Sequence, residues 1–350
     1  MRYRRTSRPL TRCTRWSLLA TALLAAGCDS FFFGPEPAAD PETIFDLLWR
    51  DFDRHYAYFV EKGVDWNTVY DEYRPAVGPT TSEAGLRATA IAMLSELRDG
   101  HVSLVTPYEE WAWDGWWQGR AMNYDPAVVR AYIDGALARA PGGRITYGRL
   151  APHIGYIHIR DFTGAGWADD ADRALEALPG IGGLVLDVRG NAGGTESLML
   201  PIAGRFADRT RLFDRVYYRN GPNHGDFHDG IDRYVGPRGA RSFTGPIVLL
   251  TNRRVFSTGE SFVSALRTMP HVTVLGDTTG GGAGNPINRE LPNGWSVRVS
   301  RWKVVTADGL TYEGVGLPPD VPVQISPEHA EQGRDTILEH ALRLLEESAG

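Results

Sequence analysis

The feature that most constrains this chain is a series of short apolar runs alternating with helix-like segments. Leu184-Val185-Leu186 and Ile247-Val248-Leu249-Leu250 contain no polar residue, which is typical of strands buried on both faces of a parallel sheet. The alternation predicts an α/β fold with a largely parallel sheet. The predicted strands cover residues 154–159, 183–188, 247–251, 272–275 and 295–299, and the predicted helices 168–178, 195–206 and 258–268.

The segment before this region has helical periodicity. Apolar residues from Ile44 to Phe59 recur at three- and four-residue spacing, which predicts an amphipathic helix. A second helix is predicted from Asp65 to Tyr73, and a third begins at a Thr80-x-x-Glu83 capping box. We therefore expect a helical subdomain at residues 42–104 and an α/β core at 105–345.

The first 27 residues have the pattern of a targeting segment. Six arginines and no acidic residue precede a short apolar run that ends in Ala25-Ala26-Gly27-Cys28, which resembles a bacterial lipobox. We expect residues 1–27 to be a lipoprotein signal peptide, Cys28 to be lipidated and residues 28–41 to form a tether. This predicts a lipid-anchored protein of the bacterial cell envelope, facing the periplasm or the exterior. The alternative is an ordinary signal peptide cleaved near Gly27.

Net charge and composition argue against several classes of function. Loss of the six arginines in residues 1–27 would change the net charge from −6 to −12, which argues against nucleic acid as a partner and limits membrane contact to the lipid anchor. The only cysteines are Cys13 and Cys28, so the folded body has no cysteine-based metal site. Lys62 and Lys303 are the only lysines.

Ser257 is the first candidate for chemistry. It stands between the apolar run ending at Thr251 and a predicted helix, at the sheet edge where open α/β folds bind ligands. The positive end of that helix would help to stabilise an oxyanion. Serine is also a favoured N-cap residue, and this segment alone favours that structural role.

The glycine-rich turn at residues 187–194 is the second candidate. Its backbone amides are suited to holding an anion, although a tight turn that needs positive φ angles is the alternative. Neither this turn nor the glycine-rich run at 280–284 has the spacing of a dinucleotide or phosphate loop.

Histidine and tryptophan supply weaker candidates. His101 follows the third predicted helix and is either a helix-end residue or a functional one. His224 and His228 lie near Asp226 and Asp229, but a solvated loop is favoured over a metal site because no third histidine has suitable spacing. Four tryptophans either line an apolar substrate groove or form a packed lid, namely Trp111, Trp113, Trp116 and Trp117.

Five segments of the chain together carry a family resemblance. In chain order they are Leu-Arg-Asp-Gly-His at 97–101, Ile-Gly-Tyr-Ile-His-Ile-Arg-Asp-Phe at 154–162, Asp-Val-Arg-Gly-Asn-Ala-Gly-Gly at 187–194, Phe-Ser-Thr-Gly-Glu at 256–260 and Tyr-Glu-Gly-Val-Gly-Leu-Pro-Pro-Asp at 312–320. In this order they resemble the tail-specific, or C-terminal-processing, serine peptidase family, which includes the tricorn core and the interphotoreceptor retinoid-binding protein repeats. The resemblance implies an α/β core of the crotonase/ClpP-like type with an N-terminal helical subdomain.

The resemblance also implies catalytic roles. The processing-protease branch uses a Ser/Lys dyad, but the glycine-rich segment after Ser257 contains no lysine. The tricorn-like branch uses Ser, His and Glu, which match Ser257, His101 and Glu313. Glu313 also fits a structural turn found in the dyad branch. An oxyanion hole is implied at the backbone amides of Thr258 and of either Gly193 or Gly194.

The implied function is a serine endopeptidase that acts on polypeptides without a metal or other cofactor. About 50 residues separate His101 from the strand at Ile154, which is too few for the PDZ domain that processing proteases usually carry. Two alternatives remain open at this point, a non-catalytic protein of the same scaffold that binds peptides or hydrophobic ligands, and a serine esterase.

Overall fold

The computed structural model of the chain describes residues 37–118, 123–164 and 168–349, and it begins with helices. The predicted signal peptide at 1–27 and the predicted lipidation site Cys28 lie outside the described residues. None of the described helices is both long enough and apolar enough to cross a membrane. The first four helices are α1 Pro41–His55, α2 Phe59–Lys62, α3 Trp66–Tyr73 and α4 Glu83–Ser95.

Local sequence explains where these helices begin. Asp40 caps α1 by accepting from the Thr43 N–H, and Pro41 occupies the first turn, where no N–H is needed. The N-cap of α4 is Ser82, whose hydroxyl accepts from the Gly85 N–H. The predicted capping box at Thr80 is therefore wrong, because the chain enters α4 two residues later.

The core contains a seven-stranded, mostly parallel sheet, which confirms the α/β prediction. Its strand order is β14-β10-β9-β6-β5-β4-β3, with parallel pairing from β14 through β5 and antiparallel pairing at β4 and β3. These strands are β3 Asp134–Arg139, β4 Ile145–Ala151, β5 Ile154–Ile159, β6 Gly183–Asp187, β9 Ile247–Thr251, β10 Val272–Gly276 and β14 Val321–Pro322.

Both faces of this sheet are covered, which explains the uninterrupted apolar runs. Alternate side chains of a strand point to opposite faces. Leu184 and Leu186 join the large hydrophobic cluster that includes the N-terminal helices, whereas Val185 joins a second cluster with residues of the C-terminal helix. The remaining helices are α5 Pro126–Tyr132, α6 Ala168–Glu176, α7 Glu196–Ala203, α8 Thr258–Leu266, α9 Pro327–Glu331 and α10 Thr336–Ala349.

Two smaller sheets connect the helical segment to the core. The four-stranded sheet has the order β11-β12-β1-β2, and the three-stranded sheet has the order β13-β7-β8. Strand β1 begins two residues after His101 and pairs antiparallel with β12. This pairing attaches the end of the helical segment to the core. The strands are β1 Ser103–Val105, β2 Glu110–Ala112, β7 Arg211–Tyr218, β8 Ile231–Val235, β11 Pro286–Glu290, β12 Ser296–Ser300 and β13 Trp302–Thr306.

A buried ion-pair cluster fixes the end of β6, where the glycine-rich turn begins. The Arg189 guanidinium is fully buried and contacts the carboxylates of both Asp187 and Asp335. Asp335 directly precedes α10. Bidentate contacts of this kind hold a guanidinium in one orientation, so the turn after β6 starts from a rigid base.

Candidate active site

Ser257 and His101 are in direct contact. Ser257 occupies the N-cap position of α8, and its Oγ lies 2.9 Å from Nε2 of His101. When the imidazole proton is on Nδ1, Nε2 can accept the hydroxyl proton of the serine. The serine predicted from its place between strand and helix therefore has a base within hydrogen-bond distance.

The backbone of Ser257 is strained. Its φ of 54° and ψ of −124° lie in a region that L-residues rarely adopt. Glu260, which is fully buried, accepts hydrogen bonds from the N–H groups of Ser257, Gly281 and Gly282. Burial raises the pKa of Glu260 to about 7, while these hydrogen bonds oppose the rise. Glu260 thus joins the strained serine to the glycine-rich segment beside it.

The glycine-rich turn and the start of α8 meet next to Ser257. The hydroxyl of Thr258 donates to the carbonyl of Gly194 at 2.7 Å. The Gly193 N–H donates to Oδ1 of Asn191 at 2.9 Å. Gly194, Ser257 and Thr258 all line one cavity of about 310 Å³. The two glycines predicted as alternatives for the oxyanion hole therefore differ. The N–H of Gly193 already has a hydrogen-bond acceptor, whereas Gly194 lines the cavity.

His101 is held in a tight turn and is kept neutral. Oδ1 of Asp99 accepts its backbone N–H at 2.7 Å. Burial lowers the pKa of His101 to about 4, Arg298 and Lys62 act in the same direction, and Asp99 opposes them. A neutral imidazole at physiological pH is the form that a general base requires.

Glu313 lies behind His101 without touching it. One carboxylate oxygen each of Glu313 and Asp99 and one ring nitrogen of His101 lie within 4.8 Å of one another. Nδ1 of His101 is buried and makes no hydrogen bond with any described residue. Glu313 instead accepts the Ala283 N–H at 2.8 Å and pairs with Lys62 at 2.9 Å. Its influence on the imidazole in this structure is therefore electrostatic.

Aromatic residues cover one side of the histidine. Trp116 stacks on Phe256 with ring centroids 4.3 Å apart, and the Phe256 ring lies 4.7 Å from that of His101. Trp116 is absent from the lining of the cavity at Ser257. Among the described residues, the contacts of Trp116 correspond to the packed-lid alternative rather than to the groove.

Comparison with known proteins finds peptidases among the relatives of this chain. Peptidase family S41 matches residues 153–323, and the Tricorn protease C1 domain matches residues 37–88. The crystal structure of a "putative peptidase" from Parabacteroides merdae is 35% identical, with a TM-score of 0.82, and the match covers 88% of this chain and 97% of that one. The chain belongs to peptidase family S41.

Two curated relatives of this S41 family member match over shorter shares of their own length. The carboxy-terminal processing protease CtpA of Bacillus subtilis is 30% identical over 180 residues, which cover 51% of this chain and 36% of the relative. Tricorn protease homolog 1 of Streptomyces coelicolor is 23% identical over 401 residues, which cover 88% of this chain and 35% of the relative. The chain thus spans about a third of each of these two relatives.

The surroundings of Ser257 and His101 include two residues to which the sequence analysis gave no role. Asp99 lies within the predicted His101 segment, and Lys62 comes from the distant helix α2. The loop histidines remain apart from this site. His224 pairs with Asp53 at 2.8 Å, and His228 lies 3.4 Å from the Asn220 amide. Among the described residues, the one group with metal-ligand spacing is Asp99, His101 and Glu313, and its members already contact Lys62 and Ser257.

Proposed function

We propose that this protein is a serine endopeptidase of the bacterial cell envelope that hydrolyses peptide bonds through an acyl-enzyme on Ser257. The observation that carries the proposal is the 2.9 Å contact between Ser257 Oγ and His101 Nε2. It is supported by the strained backbone of the serine and by the cavity beside it. These are the parts that nucleophilic catalysis needs.

The first half-reaction follows from this arrangement. His101 Nε2 takes the hydroxyl proton as Ser257 Oγ attacks the carbonyl carbon of the scissile peptide bond. We assign the N–H groups of Thr258 and Gly194 to the developing oxyanion, because both residues line the cavity and the Gly193 N–H is already bonded to Asn191. The protonated imidazole then gives its proton to the leaving amine, and the C–N bond breaks.

The second half-reaction repeats this proton transfer with water. His101 takes a proton from water, hydroxide adds to the acyl carbon, and the proton returns to Ser257 Oγ as the ester bond breaks. Glu313 and Asp99 stabilise the imidazolium formed in both halves, since their carboxylates lie within 4.8 Å of the ring. Apart from the substrate and water, every group in this scheme belongs to the protein, so the scheme uses no cofactor.

The location and the substrate rest on separate arguments. The arginine-rich start and the lipobox-like Ala25-Ala26-Gly27-Cys28 support anchoring through Cys28. The S41 family supports a polypeptide substrate. Palmitate labelling of the full-length protein in a bacterial host tests the anchor, with loss of label in Cys28→Ala as the expected result and equal labelling as the result that rejects it.

A cleavage assay tests the activity. We expect wild-type protein to cut an unfolded polypeptide at internal bonds, and Ser257→Ala and His101→Ala each to lower the rate about a thousandfold. His224→Ala is the matched control, because that histidine pairs with Asp53 away from Ser257. Cleavage of ester substrates alone would indicate an esterase, and tight peptide binding without turnover would indicate a binding protein. Either result would reject the endopeptidase.

A further inference from the structure

The side chain of Lys62 makes two contacts with residues close to His101. It is the last residue of α2, and its side chain is 12% exposed. Its Nζ lies 2.9 Å from Oε1 of Glu313 and donates to the backbone carbonyl of Arg98 at 3.0 Å. One ammonium group therefore touches both the segment that carries the glutamate and the turn that leads to the histidine.

The turn that Lys62 contacts is strained. Arg98 has a φ of 46°, in the left-handed region that residues with a side chain adopt at a cost in energy. It directly precedes Asp99, whose carboxylate fixes the backbone of His101. A hydrogen bond to the Arg98 carbonyl therefore helps to hold the conformation that aims His101 at Ser257.

The same ammonium balances charge around Glu313. The titratable and charged groups facing this carboxylate are Asp99, His101, Lys62, Tyr56 and Tyr58. Burial and the charge of Asp99 raise the pKa of Glu313 to about 8, and Lys62 opposes the rise. Burial lowers the pKa of Lys62, but Glu313 and Asp99 outweigh it, so the net shift is upward. Without the ammonium, Glu313 would keep its proton to still higher pH.

We propose that Lys62 is a positioning residue for this reaction, orienting the Glu313 carboxylate behind His101, favouring its ionised form and fixing the turn that carries Asp99 and His101. This inference rests on the proposed function. It gives Lys62 a role different from that of a dyad lysine, since its ammonium binds the acid rather than the serine.

The other lysine of the chain supplies a matched control. Lys303 pairs with Glu61 at 2.8 Å, next to Lys62 on α2, and both side chains of that pair are partly exposed. Lys62→Met and Lys303→Met thus each remove the ammonium of one ion pair, and each of these pairs has one member on α2. Lys62→Arg retains the charge and tests rescue.

We expect Lys62→Met to lower kcat about a hundredfold through misplacement of the catalytic groups, with KM within about threefold. Its pH–rate profile should shift to higher pH, because Glu313 loses the cation that favours ionisation. Lys62→Arg should restore part of kcat, and Lys303→Met should stay within about twofold of wild type. Equal losses in the two methionine variants, or an unshifted profile for Lys62→Met, would overturn the proposal.

A double-mutant cycle tests whether Lys62 acts through Glu313. In a Glu313→Gln background, adding Lys62→Met should change kcat by far less than it does in wild type. Independent, multiplicative losses would indicate two unrelated effects and would overturn the assignment. Circular dichroism on each variant identifies any that fail to fold, in which case Lys62→Arg and its pH profile carry the test.

A second measurement does not depend on catalysis. The chain has only two lysines, so protein labelled with ¹⁵Nζ-lysine gives two side-chain signals, which Lys303→Met assigns. We expect the pKa of Lys62 to fall in Glu313→Gln, because the main carboxylate that raises it is gone. An unchanged pKa would reject the ion pair. If the pKa falls but wild type shows no turnover, the proposed function fails while the pairing stands.

Discussion

The hydroxyl of Ser257 and the Nε2 atom of His101 lie 2.9 Å apart, although 156 positions separate them in the chain. His101 comes at the end of the helical segment, two residues before β1, and Ser257 is the N-cap of helix α8 of the core. Pairing of β1 with β12 brings the two parts together. The proposed catalytic pair therefore depends on correct docking of the helical segment on the core.

The activity should depend on pH in two steps. His101, with a pKa lowered to about 4, is already neutral above that pH, so it sets only the acidic limit. Glu313, with a pKa raised to about 8, should ionise near that pH and stabilise the imidazolium further. We expect kcat/KM to rise through about pH 4 and again near pH 8, as measured with a peptide substrate. Glu313→Gln should lose the upper rise, and retention of that rise would assign it to another group.

The proposed oxyanion hole should be sensitive to a methyl group at Gly194. A Cβ there would lie within 2.2 Å of the Phe162 carbonyl oxygen, so Gly194→Ala must displace the backbone. We expect kcat to fall about 10²–10³-fold. Gly190→Ala in the same turn is the control, because Gly190 also has positive φ but open space around it. Similar losses in both variants would indicate general strain of the turn.

Glu260 should support both activity and stability. Glu260→Gln replaces an acceptor of several N–H groups with an amide that also donates, so we expect a loss of about 1–3 kcal/mol in the free energy of unfolding and slower acylation of Ser257. Denaturant unfolding measures the first, and Glu290→Gln at an exposed strand position is the control. A variant that is as stable and as active as wild type would contradict the role of Glu260.

The raised pKa of Glu260 predicts that the free energy of unfolding depends on pH, and Glu260→Gln tests this prediction. The pKa of Glu260 is raised from 4.5 to about 7 in the folded state, so its protonated form is favoured by folding. Its contribution is present below about pH 4.5 and is lost as pH rises through about 7. Melting curves of wild type should therefore lose more stability between pH 5 and 8 than those of Glu260→Gln. Parallel pH dependence would reject the raised pKa.

The α/β core could be predicted, and the two residues of the proposed catalytic pair could be singled out as candidates, because their signals are local. Apolar runs such as Leu184-Val185-Leu186 predict buried strands, and segments around His101 and Ser257 carry the family resemblance. The contact between the two side chains follows only from the fold. The N-cap of α4 is Ser82 rather than the predicted Thr80. The sequence does not distinguish between them, because three consecutive residues are of types that cap helices, namely Thr80, Thr81 and Ser82.

Lys62 could not be placed from sequence because its role depends on tertiary contacts. It lies on a four-residue helix, 251 positions before Glu313, and no motif surrounds it. The signal that was present is compositional, since the chain has only two lysines. That scarcity argued against a Ser/Lys dyad, yet one of the two lysines is buried against Glu313.

Covalent labelling of Ser257 tests the central claim most directly. Wild-type protein is treated with a fluorophosphonate probe at pH 8, and the modified residue is identified by mass spectrometry of the digested protein. The account predicts one phosphonylated residue, Ser257, with labelling abolished in Ser257→Ala and strongly slowed in His101→Ala. Equal labelling of wild type and Ser257→Ala, or no labelling of folded wild type, would contradict an activated nucleophile at this site.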